Sequence, residues 1–413
     1  MLKYRASILV CLTLFFSLNS LLSKTLFISA SYLNYNQPSY LLLHHQDGSL
    51  INCYEIKARD FRRGVQLKYE VLNESPIVLT TMRVEEDNEN IGFSNMSFVD
   101  IPDGYVLNFE PHITSLKGEL GAIEVLANVT NSVHFGQISF VNATSFFKQT
   151  QSNEHSLSYR TNLLPKTPLF MAIEAEKASW YYLQHDSILQ TQNLLHSLDF
   201  DDFHEFTNYH TLTLDEDIYH LQVRLFSEKM RLPINLSFPK VEKNIRIPDP
   251  LELKCDKYEM IIDRVDKENN RLVIQHFSGP TFPTNIEPQI KEYSTSFDGD
   301  LFQLSADKDF KFYNAVMTLQ DSDRKIRSHW MIYGKVEREN KFTLPEIPTK
   351  IVNKYPFIRT QINPTSYLCW LITADNDYSL SDFSSPFQIM DVNWWLANNS
   401  LVIRQSTATT KKE

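Results

Sequence analysis

The chain has 413 residues, more than one hydrophobic core accommodates, so two or more domains are expected. With 42% apolar and 22% charged residues it is a folding sequence, and disordered, coiled-coil and collagen-like classes fall away. A formal net charge of −10 argues against sequence-independent binding of nucleic acid, which needs a basic surface to release counterions.

The first element is a leader. Lys3 and Arg5 precede an apolar run from Ile8 to Leu22, the charged and hydrophobic regions of a secretory signal. Ser17, Asn19 and Ser20 interrupt that run, and it falls short of the roughly 20 apolar residues of a membrane-spanning helix. Residues 1–23 are therefore expected to be a signal peptide, with cleavage after Ser23 or as late as Ala30. The mature protein is then secreted, periplasmic or at the cell surface, without a stable transmembrane helix. Cys53, Cys255 and Cys369 remain, an odd number that allows at most one disulfide. Acceptor triplets for N-glycosylation begin at Asn73, Asn95, Asn128, Asn142, Asn235 and Asn398.

From 31 to 150 short apolar runs alternate with turn-forming clusters, which predicts an N-terminal β domain. Val65, Leu67 and Tyr69, and again Tyr105, Leu107 and Phe109, show the period of a half-buried strand. Gln46-Asp47-Gly48 and Pro102-Asp103-Gly104 supply turns between strands. A second β-rich region is expected over 151–245, with strands at Leu169–Glu174, His210–Leu214 and Tyr219–Leu225. Ile188, Leu189, Leu194, Leu195 and Leu198 fall near one helical face behind Asp186, which predicts a short helical segment near 186–200. Pro233, Pro239, Pro248 and Pro250 mark a break near 245, followed by a linking strand region over 246–280. A last β domain is expected over 281–393 and a tail over 394–413. The expected fold class is mainly β, with tandem β-sandwich domains and one short helical segment.

Within 281–393, the runs Asn314–Leu319, His329–Tyr333 and Tyr367–Ala374 are followed by Leu380–Ile389 with its Ser-Ser-Pro edge. This stretch resembles the later part of a fibronectin type III or immunoglobulin-like domain. Tyr367, two residues before Cys369, is similar to the placement that forms a tyrosine corner. Both residues are thereby assigned a structural role. The resemblance implies a fold, and no catalytic residue comes with it.

Ten glycines form no GxSxG elbow, GxGxxG turn or GxxxxGK[ST] loop, and HExxH is absent from the sequence. No catalytic residue and no cofactor is assigned. The densest set of metal-ligating types is His196, His204 and His210, interspersed with Asp199, Asp201, Asp202 and Glu205. His44 and His45 are adjacent, so in a regular strand they point to opposite faces. Carboxylate pairs at Asp298/Asp300, Asp307/Asp309, Asp321/Asp323 and Asp375/Asp377 fall in expected turns. Trp394 and Trp395, with Trp370 and Trp330, are candidates for an aromatic platform that binds a surface protein or glycan. The expectation is an exported binding or structural protein. The alternative is a glycan or peptide hydrolase with its catalytic apparatus before 245 and an accessory C-terminal sandwich.

Overall fold

A computed structural model describes residues 21–72, 77–86, 91–109, 123–130, 138–141, 148–153, 156–163, 169–175, 179–185, 194–199, 203–214, 218–226, 234–238, 243–249, 255–269, 271–283, 286–287, 289–298, 300–321, 326–337, 339–360, 366–378, 382–383, 395–396 and 399–410. Over 123–199 it describes the backbone alone.

The chain is mainly β. Its first strands are β1 (Leu21–Ile28), β2 (Tyr40–His45), β3 (Leu50–Glu55), β4 (Val65–Leu72), β5 (Ile77–Glu86), β6 (Ile91–Val99) and β7 (Val106–Leu107). Next come β8 (Ile123–Thr130), β9 (Ile138–Val141), β10 (Lys148–Asn153), β11 (Ser156–Leu163), β12 (Leu169–Ala175), β13 (Ser179–His185) and β14 (Leu194–Asp199). They are followed by β15 (His204–Glu205), β16 (Tyr209–Thr213), β17 (Ile218–Phe226), β18 (Ile234–Phe238), β19 (Asn244–Pro248), β20 (Lys257–Asp266) and β21 (Arg271–Gly279). The last are β22 (Tyr293–Asp298), β23 (Leu301–Ala306), β24 (Phe310–Asp321), β25 (Ile326–Lys335), β26 (Glu339–Thr343), β27 (Ser366–Ala374) and β28 (Leu401–Thr410). Short helices α1 (Ala30–Asn36), α2 (Asp60–Arg63) and α3 (Thr349–Lys354) interrupt them. Among the described residues no helix is long and apolar enough to cross a membrane.

Two compact units divide the chain, and both are discontinuous. Unit 1 takes residues 1–110, 290–398 and 404–413, and unit 2 takes 111–289 and 399–403.

In unit 1 the strands β27-β24-β25-β6-β5-β2-β3 lie side by side in one sheet, antiparallel except for the β25–β6 pair. A second sheet, β22-β23-β26, packs face to face on it. Phe302, Leu304 and Phe342 from the small sheet join Leu42, Val78, Tyr313 and Leu371 from the large one in a single core. Tyr313 lies directly over Gly334, its partner in register, where an added Cβ would sit 2.6 Å from the ring. The opposite face is covered as well. Ser29 caps α1 by accepting from the Tyr32 N–H, and the buried Tyr32 hydroxyl meets Thr81 of β5 at 2.9 Å. A third sheet, β4-β1-β7, buries Leu26, Ile28, Val65, Leu67 and Leu107. With both faces covered, β5 is buried at every position from Ile77 to Met82, as a two-sided strand must be.

In unit 2, β18-β17-β20-β21 forms an antiparallel sheet with one apolar face. Leu221, Val223, Leu225, Met260 and Ile262 on that face pack with Leu212, Ile245 and Ile247 of the β16–β19 pair. Two further sheets run β10-β11-β8-β14 and β15-β13-β12-β9.

The helical segment expected near 186–200 is corrected over its described part. Leu194–Asp199 is strand β14, paired in parallel with β8 through Leu194↔Val125 to Asp199↔Thr130. A short apolar run fits either period, and here a neighbouring strand supplies the hydrogen-bond partners. Residues 186–193 lie outside the described residues.

Candidate functional site

The site with the most developed geometry in unit 1 begins at the β2–β3 turn. Asp47 Oδ1 accepts hydrogen bonds from the Ser49 N–H at 2.9 Å and the Ser49 hydroxyl at 2.6 Å. Those two donors hold the Asp47 carboxyl below the usual carboxylate range. Gly48 follows at φ +84°, a left-handed conformation that glycine adopts without steric cost. An added Cβ there would lie 3.1 Å from the Leu344 carbonyl, because the segment leaving β26 runs directly alongside.

That segment, Leu344-Pro345-Glu346-Ile347, is tied down by its own backbone. The Leu344 N–H donates to the Asp300 carbonyl at 2.8 Å, and the Glu346 N–H donates to the Gly48 carbonyl at 3.0 Å. Pro345 and Pro348 have no N–H to satisfy. Beneath the segment, His44 is fully buried, and its Nε2 lies 3.1 Å from the Glu346 carbonyl. A carbonyl only accepts, so Nε2 carries the proton and Nδ1 is the bare nitrogen, buried without a hydrogen-bond partner. Loss of solvent pushes the His44 pKa down to about 4, so the ring is neutral near pH 7.

Turn, segment and sheet enclose a cleft of about 440 Å³. Its walls are Leu344, Pro345, Ile347, Val352 and Ile358, and its aromatic part is Phe93 with Trp330. Those two rings meet edge to face, 6.5 Å apart at 89°. The Trp330 Nε1–H donates to Ser97 Oγ at 2.9 Å, and Ser97 Oγ lies 2.7 Å from Thr80 Oγ1, so the polar edge of the indole is already satisfied. Asp47, Asp300 and Glu346, all exposed, bring three carboxylates to the lining. Between Phe93 and Ser97 on the same face of β6, opposite Trp330 in register, stands Asn95. It is fully buried, with neither amide atom hydrogen bonded.

The residues singled out in the sequence are distributed differently. His196, His204 and His210 stand on β14, β15 and β16, strands of three separate sheets. The His196 side chain lies outside the described residues, His204 is exposed, and His210 Nε2 is 3.6 Å from Asp249 Oδ1. Among the described residues no group of three or more His, Cys, Asp or Glu side chains is placed to hold a metal ion. Trp395 is fully buried against Phe312, Phe383 and Tyr378, and Trp394 lies outside the described residues. Tyr367 donates its hydroxyl to the Thr295 carbonyl of β22 at 3.2 Å, a partner 72 residues away in sequence. Cys369 is fully buried in the unit 1 core, where burial pushes its thiol pKa up. Among the described residues no disulfide joins Cys53, Cys255 and Cys369. Asp309 and Asp377 form ion pairs with Lys291 and Lys311 at 2.7 and 2.6 Å.

Of the cleft residues, the sequence marks Asp47-Gly48 and Asp300 as turn positions and Trp330 as an aromatic of interest. Phe93 and the Leu344–Ile347 wall carry no local signal beyond ordinary apolar patterning. No protein-family model matches the chain, and no curated protein matches it.

Proposed function

We propose that this is an exported binding protein whose ligand seats an apolar group in the unit 1 cleft. The observation that carries the reading is the cleft itself. Its volume falls in the range of roughly 300–1,000 Å³ typical of small-molecule sites, and apolar side chains wall it with a few polar groups at its lining. Its framing backbone is already bonded internally, which favours insertion of an apolar group over addition of a peptide strand.

A neutral fluorescent probe, N-phenyl-1-naphthylamine, tests this. It is expected to bind one equivalent and to brighten as it leaves water. Val352→Trp, which fills the cleft, is expected to abolish that signal while circular dichroism and the melting temperature stay close to those of the parent chain. An unchanged signal in the filled variant, or no signal in the parent chain, overturns the assignment.

Export rests on the leader, and the burial of β1 favours a cut after Ser23 over one after Ala30. Leu26 and Ile28 are buried, and the β1–β4 pairing runs from Leu21 to Ile28. Removal after Ala30 would delete this strand, whereas removal after Ser23 keeps its buried half. N-terminal sequencing of the protein recovered outside the cytosol is expected to read from Lys24 or earlier. A start at Ser31 would contradict this.

A further inference from the structure

We infer that the cleft is selective for a cation, and specifically for a small ligand whose ammonium group carries an apolar substituent. This rests on the binding reading above and adds the charge and the size class of the ligand. Asp47, Asp300 and Glu346 reach the cleft from three separate segments, the β2–β3 turn, the β22–β23 turn and the stretch after β26. None of the described lining residues is Lys, Arg or His. An anion would meet three carboxylates and no cationic lining residue, while a cation finds complementary charge in the lining.

The aromatic pair adds a second, independent reason. Trp330 spends its only donor on Ser97, so what it and Phe93 offer a ligand is π surface, which attracts cations and repels carboxylates. Of the two lysines of α3, Lys354 is paired with Glu55 at 3.1 Å and Lys350 acts on Cys53 and Glu55. Asn95, with both amide atoms unpaired, is buried next to the aromatic pair and is not part of the lining. The limited volume of the cleft and its internally bonded backbone fit a small amphiphile rather than a polypeptide strand.

The test displaces N-phenyl-1-naphthylamine with three ligands of one chain length, decyltrimethylammonium, decanol and decanoate, each below its micelle concentration. The cation is expected to bind about tenfold tighter than the alcohol at low salt, a difference of about 1.4 kcal/mol. Decanoate should bind weakest, and the cation's advantage should shrink as salt screens the carboxylates. In the triple variant Asp47→Asn, Asp300→Asn, Glu346→Gln, the cation's advantage over decanol should disappear. Equal affinities in the parent chain, or a preference for decanoate, overturn the inference and leave the apolar-cleft reading intact. Failure of the neutral probe and decanol to bind at all overturns both.

Discussion

The large sheet of unit 1 and the β18-β17-β20-β21 sheet of unit 2 bury their strands in opposite ways. In β17, buried Leu221, Val223 and Leu225 alternate with half-buried Gln222, Arg224 and Phe226. Only one side of that strand meets the apolar core, and the other carries pairs such as His220 with Asp263 at 3.0 Å. In β2 and β5 of unit 1 the alternation is gone, since Tyr40 to His44 and Ile77 to Met82 are buried without a break. A second sheet covers one face there, and α1 helps to cover the other. Alternation therefore reports a single packed face, and its loss reports two. The consequence for function is local. Covering both faces leaves few polar side chains, of which Thr80 and Ser97 bond to each other, and leaves a cleft with apolar walls where sheet, turn and prolyl segment meet.

The strongest way to break the contrast is paired truncation. Leu42→Ala and Leu43→Ala, neighbours on opposite faces of β2, are each expected to cost about 2–5 kcal/mol, because both side chains are fully buried. In β17 only Leu221→Ala should cost that much, while Gln222→Ala stays within about 0.5 kcal/mol. Urea unfolding of the four variants decides it. Equal costs at Leu221 and Gln222 would mean that unit 2 is covered on both faces too.

A second effect belongs to His44. The unfolded chain takes up a proton near the ordinary histidine value of 6.5, whereas the native ring resists protonation down to about 4. Stability is therefore fullest above pH 6.5 and falls as the pH drops toward 4, by up to about 1.4 kcal/mol per unit. Below that it levels off as the native ring also titrates. His44→Gln, which keeps a donor for the Glu346 carbonyl, should remove this part of the slope. An unaltered slope between pH 4 and 6.5 would assign it to other groups.

The smallest effect has the opposite sign. Asn95→Leu removes two buried, unpaired amide atoms, so it is expected to stabilise unit 1 by about 1 kcal/mol or to be neutral. Thermal melting reads the gain. If the same variant also weakens binding of decyltrimethylammonium, the unpaired amide is part of the site. A loss of 2 kcal/mol or more would show that the amide is paired in the native protein.

The mainly β class, the turns at Gln46–Gly48 and the buried aliphatic runs were legible locally, because period, turn chemistry and apolar spacing are properties of adjacent residues. The helical reading of 194–199 failed for the same reason, since Leu194, Leu195 and Leu198 satisfy a helical spacing and a strand can use them as well. His196, His204 and His210 are near in sequence, and their strands β14, β15 and β16 belong to three different sheets. Tyr367, Cys369 and Leu371, two residues apart along β27, pack with one core.

Residue by residue, the sequence determined which segments extend, where they turn and which side chains seek burial. Tertiary structure alone decided that β6 lies beside β25, more than two hundred residues later, with Asn95 opposite Trp330. It alone brought Asp47, Asp300 and Glu346 to one aromatic cleft. The physical reason is that strand partners and sheet faces are chosen by long-range pairing and by what covers each face. Neither quantity is written in any short stretch of chain.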